Sequence, residues 1–145
     1  VSMIIVPLGS AFTKNKDTEM VEEIRKLHDL TPTTTAVMGR FATITGMMGF
    51  TEIKDSEDYI TVQLNGKGPM GTLISVVRRE MCTSKVKVCV DDPHVELPLK
   101  LNGKLDVSGA VGNAGFLNII NKNKRSRFYT ATLFILLNNS MQNGA

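Results

Sequence analysis

The stretch from Thr33 to Phe50 constrains this chain more than any other, because its apolar residues follow no single stripe. Val37, Met38, Phe41, Ala42, Ile44, Met47 and Met48 fall all the way round a helix. A helix that is apolar on every side is expected to be buried on every side. Thr31 and Pro32 supply its start, an N-cap residue followed by proline at the first helical position. Gly39, Gly46 and Gly49 lower the intrinsic propensity, so packing must hold the segment together, and they let neighbouring backbone come close. Arg40 lies near the middle. A central arginine costs about 2.5–3.5 kcal/mol on membrane-insertion scales, so the segment is not expected to span a membrane. Inside a protein its guanidinium must meet a carboxylate, carbonyls or solvent at an edge. The expectation is a central helix sandwiched inside one domain, with Phe41 in its core.

The flanking segments read differently. Ser2 to Val6 is predicted as a strand stopped by Pro7 and Gly9. Asp17 and Thr18 are acceptable N-caps, and Met20, Val21, Ile24, Leu27 and His28 recur at helical spacing after them, predicting a surface helix over 18–28. Its acids come first and its bases last, and Glu22 to Lys26 is a favourable i,i+4 pair. From Asp58 the period changes to two: Ile60, Val62 and Leu64 face one way, and Tyr59, Thr61 and Gln63 the other. Further strands are predicted at Thr72–Val77, Val86–Val90, Phe116–Ile120 and Tyr129–Leu137, joined by turn chemistry at Asn65-Gly66, Gly68–Gly71 and Asn102-Gly103. Two early helices followed by mainly antiparallel strands with tight turns is an α+β pattern, and 145 residues fit a single domain over 1–145.

Residues that could carry chemistry do not converge. The nucleophile motif Gly-x-Ser-x-Gly is absent, and neither His28 nor His94 has a partner at a recognisable spacing, so no enzyme is expected. Gly66–Gly71 lacks the Gly-Lys-Ser/Thr ending of a phosphate cradle and reads as a turn. Asp91, Asp92 and Glu96 lack the alternating spacing of a calcium loop. Cys82 and Cys89 are too few and too widely spaced for structural zinc, and their spacing opposes an intra-strand disulfide. Two unpaired thiols fit a reducing compartment. The start, Val1 to Pro7, lacks a basic leader and is not expected to be a secretory signal. Net charge is +3, with a tight basic run of Lys122, Lys124, Arg125 and Arg127. That run could contact phosphates and supports a competing reading as a small nucleic-acid-binding module, but no RNA-recognition aromatic motif accompanies it, and it reads as a solvated loop between strands.

Five words of the sequence resemble the redox-regulated heat shock protein thirty-three holdases. They are Val21-Glu-Glu-Ile-Arg-Lys-Leu-His28-Asp29, Thr31-Pro-Thr-Thr-Thr-Ala-Val-Met-Gly39-Arg40, Gly66-Lys-Gly-Pro-Met-Gly71, Asp92-Pro-His-Val-Glu-Leu-Pro98 and Gly103-Lys-Leu-Asp106-Val-Ser-Gly-Ala-Val-Gly112. Each is weak alone, but their order over roughly residues 18–120 makes the assignment specific, and Phe128-Tyr-Thr130 continues it. The resemblance implies a layered β/β/α-type sandwich with a buried central helix. It also implies ATP-independent capture of unfolding client proteins in the cytosol under oxidative stress. The family's zinc is held by four cysteines of a separate C-terminal module, to which Cys82 and Cys89 do not correspond. This chain, read as stopping inside the later part of the substrate-binding domain, is therefore expected to hold no zinc or other cofactor and to lack redox gating. Arg40, Phe41 and Asp106 are expected to serve structure rather than chemistry.

Holding clients needs accessible apolar surface, which methionine suits because a thioether adapts to varied partners, and the chain has eight. Leu133-Phe134-Ile135-Leu136-Leu137 is a continuous apolar run of strand-forming length with no charge or proline to blunt it. It is a candidate client or self-association surface, with a homodimer as the expected product.

Overall fold

The computed structural model describes residues 2–7, 14–55, 57–80, 83–121 and 124–130. The residues 33–50 do form a helix, α2, which spans Pro32–Glu52. It is preceded by α1, Lys14–His28, four residues longer at its start than the capping residues suggest. Among the described residues six strands follow or flank the helices: β1 Ser2–Pro7, β2 Tyr59–Asn65, β3 Thr72–Glu80, β4 Thr83–Val90, β5 Phe116–Asn121 and β6 Lys124–Thr130. They make one antiparallel sheet in the order β1-β4-β3-β2-β5-β6. The chain is thus α+β, with an antiparallel β layer against an α layer that contains the central helix.

Alternation sets which face of the sheet meets the helices. Ile60, Val62 and Leu64 of β2, Leu73 and Val77 of β3, and Val86 and Val88 of β4 are all buried. Each such side chain contributes about 1.5–3 kcal/mol by leaving water. Onto this face α2 lays Met38, Phe41 and Thr45, all buried. Thr45 and Ser75 share a buried hydroxyl–hydroxyl hydrogen bond of 2.8 Å that fixes the register of helix on sheet. Gly49 has no side chain where Val77 lies, so the last turns of α2 sit close on β3.

Three expectations need correction. The basic run is no loop: Lys124 to Thr130 pairs with β5, Lys124 opposite Asn121 and Arg127 opposite Ile119. Charged residues are the usual dress of an edge strand, so the charges that suggested a solvated loop mark the sheet's border instead. The strand expected over Thr72–Val77 runs further, and β3 ends at Glu80. A third helix, α3 Val107–Val111, occupies a segment read only as turn-flanked chain. Leu133–Leu137, Cys82 and Lys122 lie outside the described residues.

Candidate functional site

The central helix is not buried all round. Its residues facing the sheet and α3 are enclosed, but Pro32, Ala36, Arg40, Met47 and Phe50 recur at the 3.6-residue period along one outer face. Met47 is 51 % exposed and Phe50 46 %, values that put two large apolar side chains in solvent. Ile44 and Met48 flank them, packed partly against the core. Phe50 is held by Arg79, whose guanidinium lies 5.2 Å from the ring centre and whose Nη1 donates to the Ile53 carbonyl at 3.1 Å. This cation–π contact steadies the ring without covering it.

Toward its N-terminus the same face becomes one wall of an open groove of about 610 Å³ between α1 and α2, lined by Val21, Arg25, Leu30, Ala36, Arg40 and their neighbours. Gly39 allows the approach, since a Cβ there would stand 2.9 Å from a Val21 methyl. Arg25 donates to both carboxylate oxygens of Glu22, at 2.9 and 2.6 Å, and this holds the Glu22 carboxyl below its ordinary pKa. Lys26, expected to be the partner of Glu22, stands farther off at 3.8 Å. Arg40 is half-buried at the groove, and burial lowers its pKa from the usual guanidinium value.

The other singled-out residues gather elsewhere. Thr31 donates its hydroxyl to the Val95 carbonyl at 2.6 Å, and its amide to that of Pro93 at 3.4 Å, tying the start of α2 to the 92–98 loop. His94 Nε2 lies 3.5 Å from Asp29 in an exposed pair. The Gly66–Gly71 turn is bonded to α3 through Gly68 N to Val111 O at 3.0 Å and Met70 N to Ala110 O at 3.2 Å. Asp106 caps α3, accepting from the Gly109 amide at 3.0 Å, and Lys100 Nζ lies 3.7 Å from it. The words that carry the resemblance therefore converge at one end of the sheet, joined mainly by backbone bonds. His28 Nε2 is buried without a hydrogen-bond partner among the described residues, and burial pushes its pKa down. Cys89 is exposed on β4, and among the described residues no cluster of three or more histidine, cysteine or carboxylate side chains could hold a metal. Among them, too, no helix is long and apolar enough to cross a membrane.

Two features of the outer face were hidden in the sequence. The period of α2 says nothing about which side is left open, and in the sequence Arg25 is one of the bases late in a surface helix, not a groove wall. A five-residue helix with an inner glycine offers no periodic signal either; its only mark was Asp106 as a capping residue.

The Hsp33 protein family model matches residues 15–136. The 33 kDa chaperonin of Acetivibrio thermocellus is 45 % identical over 103 residues, covering 71 % of this chain and 33 % of the relative. That of Clostridium perfringens (strain 13 / Type A) is 42 % identical over 104 residues, covering 71 % and 31 %. The crystal structure of the 33 kDa chaperonin of Thermotoga maritima superposes with a TM-score of 0.62 at 29 % identity, over 77 % of this chain and 38 % of that one. The chain spans about a third of the length of these curated relatives. With a match running from α1 through β6, and the same sheet-and-helix arrangement in a solved relative, the chain belongs to the Hsp33 family.

Proposed function

We propose that this chain is an ATP-independent holdase: it binds unfolding proteins in the cytosol under heat or oxidative stress and releases no chemical product. The observation that carries the reading is the outer face of α2, where Met47 and Phe50 stand in solvent on a helix whose opposite side is enclosed by the core. A non-directional apolar surface with an adaptable thioether suits clients of many sequences, because the hydrophobic contribution follows the area removed from water. Family membership supports the same role, the matched relatives being named chaperonins.

Light scattering from a heat-aggregating enzyme tests this. The chain is expected to slow aggregation without ATP, and Met47→Ser combined with Phe50→Ser is expected to remove most of the protection. The protection is also expected to be equal in peroxide and in reductant, with no zinc required. No slowing of aggregation by the chain, or undiminished protection by the double variant, defeats the reading; a gain in peroxide defeats its redox part by giving Cys82 or Cys89 a switching role. Self-association through Leu133, Phe134, Ile135 and Leu136 belongs to the same proposal, because an unblunted apolar run favours pairing with a second copy. Sedimentation at rising concentration should show dimers or larger species that Ile135→Lys disperses. A monomer at every concentration rules this part out.

A further inference from the structure

We infer, resting on the holdase reading, that the outer edge of β1 takes an extended segment of an unfolding client as an added strand, one with aliphatic residues at alternate positions. Among the described residues β1 ends the sheet, with β4 as its one strand neighbour. Successive residues of a strand turn their N–H and C=O groups to opposite sides, so every second residue of β1 presents its pair away from β4. Unmet backbone groups of this kind are a template that another strand satisfies. Pro7 lacks an N–H and closes one end, which leaves Ser2 to Val6 as the open stretch.

The two edges of the sheet differ. β6 carries Lys124, Arg125 and Arg127, and its pairing with β5 shifts register between Ile119 and Asn121. Charge and a bulge are both devices that keep a further strand off an edge. β1, Ser-Met-Ile-Ile-Val-Pro, has no charged residue, and Ser2 to Pro7 pair with Val88 to Thr83 without a shift. This edge is therefore regular and blunted only at Pro7. Main-chain bonds do not read side chains, so the edge accepts segments of many sequences, as a holdase requires. The preference for alternate aliphatic residues comes from the face that a new strand extends. Ser2, Ile4 and Val6 stand opposite Val88, Val86 and Ser84, which are buried on the helix side of the sheet, and α1 packs against β1. Every second residue of an added strand falls on that same side.

The probe is a fluorescein-labelled short peptide of alternating valine and threonine, titrated into the whole chain and read by anisotropy. Its fully N-methylated form keeps the side chains but cannot donate, and it is expected to bind at least about tenfold more weakly, as is a form with serine for valine. Amide hydrogen exchange locates the site. On adding the peptide, alternate amides of β1 should slow by about tenfold, and those of β6 should not change. Undiminished affinity of either altered peptide overturns the inference, and so does protection on β6 or none on β1. The same β1 protection in concentrated protein without peptide also overturns it, because a second copy then fills the edge. The holdase reading fails separately. Client protection by wild-type protein with no peptide binding sinks only the edge, whereas peptide binding at β1 without client protection keeps the edge and sinks the holdase.

Discussion

Replacing Phe41 with alanine is expected to lower the stability of the chain by about 3–5 kcal/mol, the cost of truncating a fully buried ring and leaving a cavity. Phe41 is 1 % exposed and lies in the same core cluster as Met38, Ile60 and Leu64, where helix meets sheet. Total stabilities of domains this size are about 5–15 kcal/mol, so the loss removes a large share of the margin. The melting temperature should drop by roughly 10 °C, on a scale of about 2–4 °C per kcal/mol. Phe50 is the internal comparison, because it belongs to the same helix but faces outward on Arg79. Its alanine variant should cost about 1 kcal/mol or less, the worth of an exposed cation–π contact. Thermal or denaturant unfolding of the two variants side by side gives the answer. Equal losses would mean that α2 does not have one buried and one open side.

That contrast marks where the sequence stops being informative. The burial of α2 is legible because no polar stripe exists to face water, and the strands β2 and β4 because Ile60–Leu64 and Val86–Val90 alternate without interruption. The outer face is illegible for the same reason that the helix is recognisable. When every side is apolar, only long-range packing decides which side stays open, and here Met38, Phe41 and Thr45 are enclosed while Met47 and Phe50 stay open. Thr45 and Ser75, thirty positions apart, show the same dependence: neither hydroxyl announces its partner. The words Gly66–Gly71 and Gly103–Gly112 point to a family without saying that they touch, because backbone-to-backbone bonds leave no trace in side-chain identity except the glycines themselves. The groove needed two elements to be placed before Arg25 and Arg40 became parts of one surface.

The contact between those two words carries the second large effect, which is expected on replacing Gly112 with alanine. Gly112 has φ 87° and ψ 171°, a backbone region essentially restricted to glycine. A Cβ there would also run into the Gly66 carbonyl oxygen and stand 2.6 Å from the Gly68 nitrogen. Neither neighbour is a flexible side chain that can swing away. To make room, the turn and α3 must part, loosening the bonds from Gly68 to Val111 and from Met70 to Ala110 and disturbing the buried Met70, Ala110 and Val111. Backbone strain of about 1–3 kcal/mol and two hydrogen bonds worth about 1 kcal/mol each give a loss of about 3–5 kcal/mol. Gly103 separates strain from packing, because it too has a positive φ, 77°, but its added Cβ would meet nothing within 4 Å. Gly103→Ala should therefore cost about 1–2 kcal/mol, the left-handed penalty alone. Denaturant midpoints of the two variants against the parent chain decide it. A Gly112→Ala loss no larger than that of Gly103→Ala would show that the turn and α3 yield without resistance, and that their close approach does not hold this end of the sheet together.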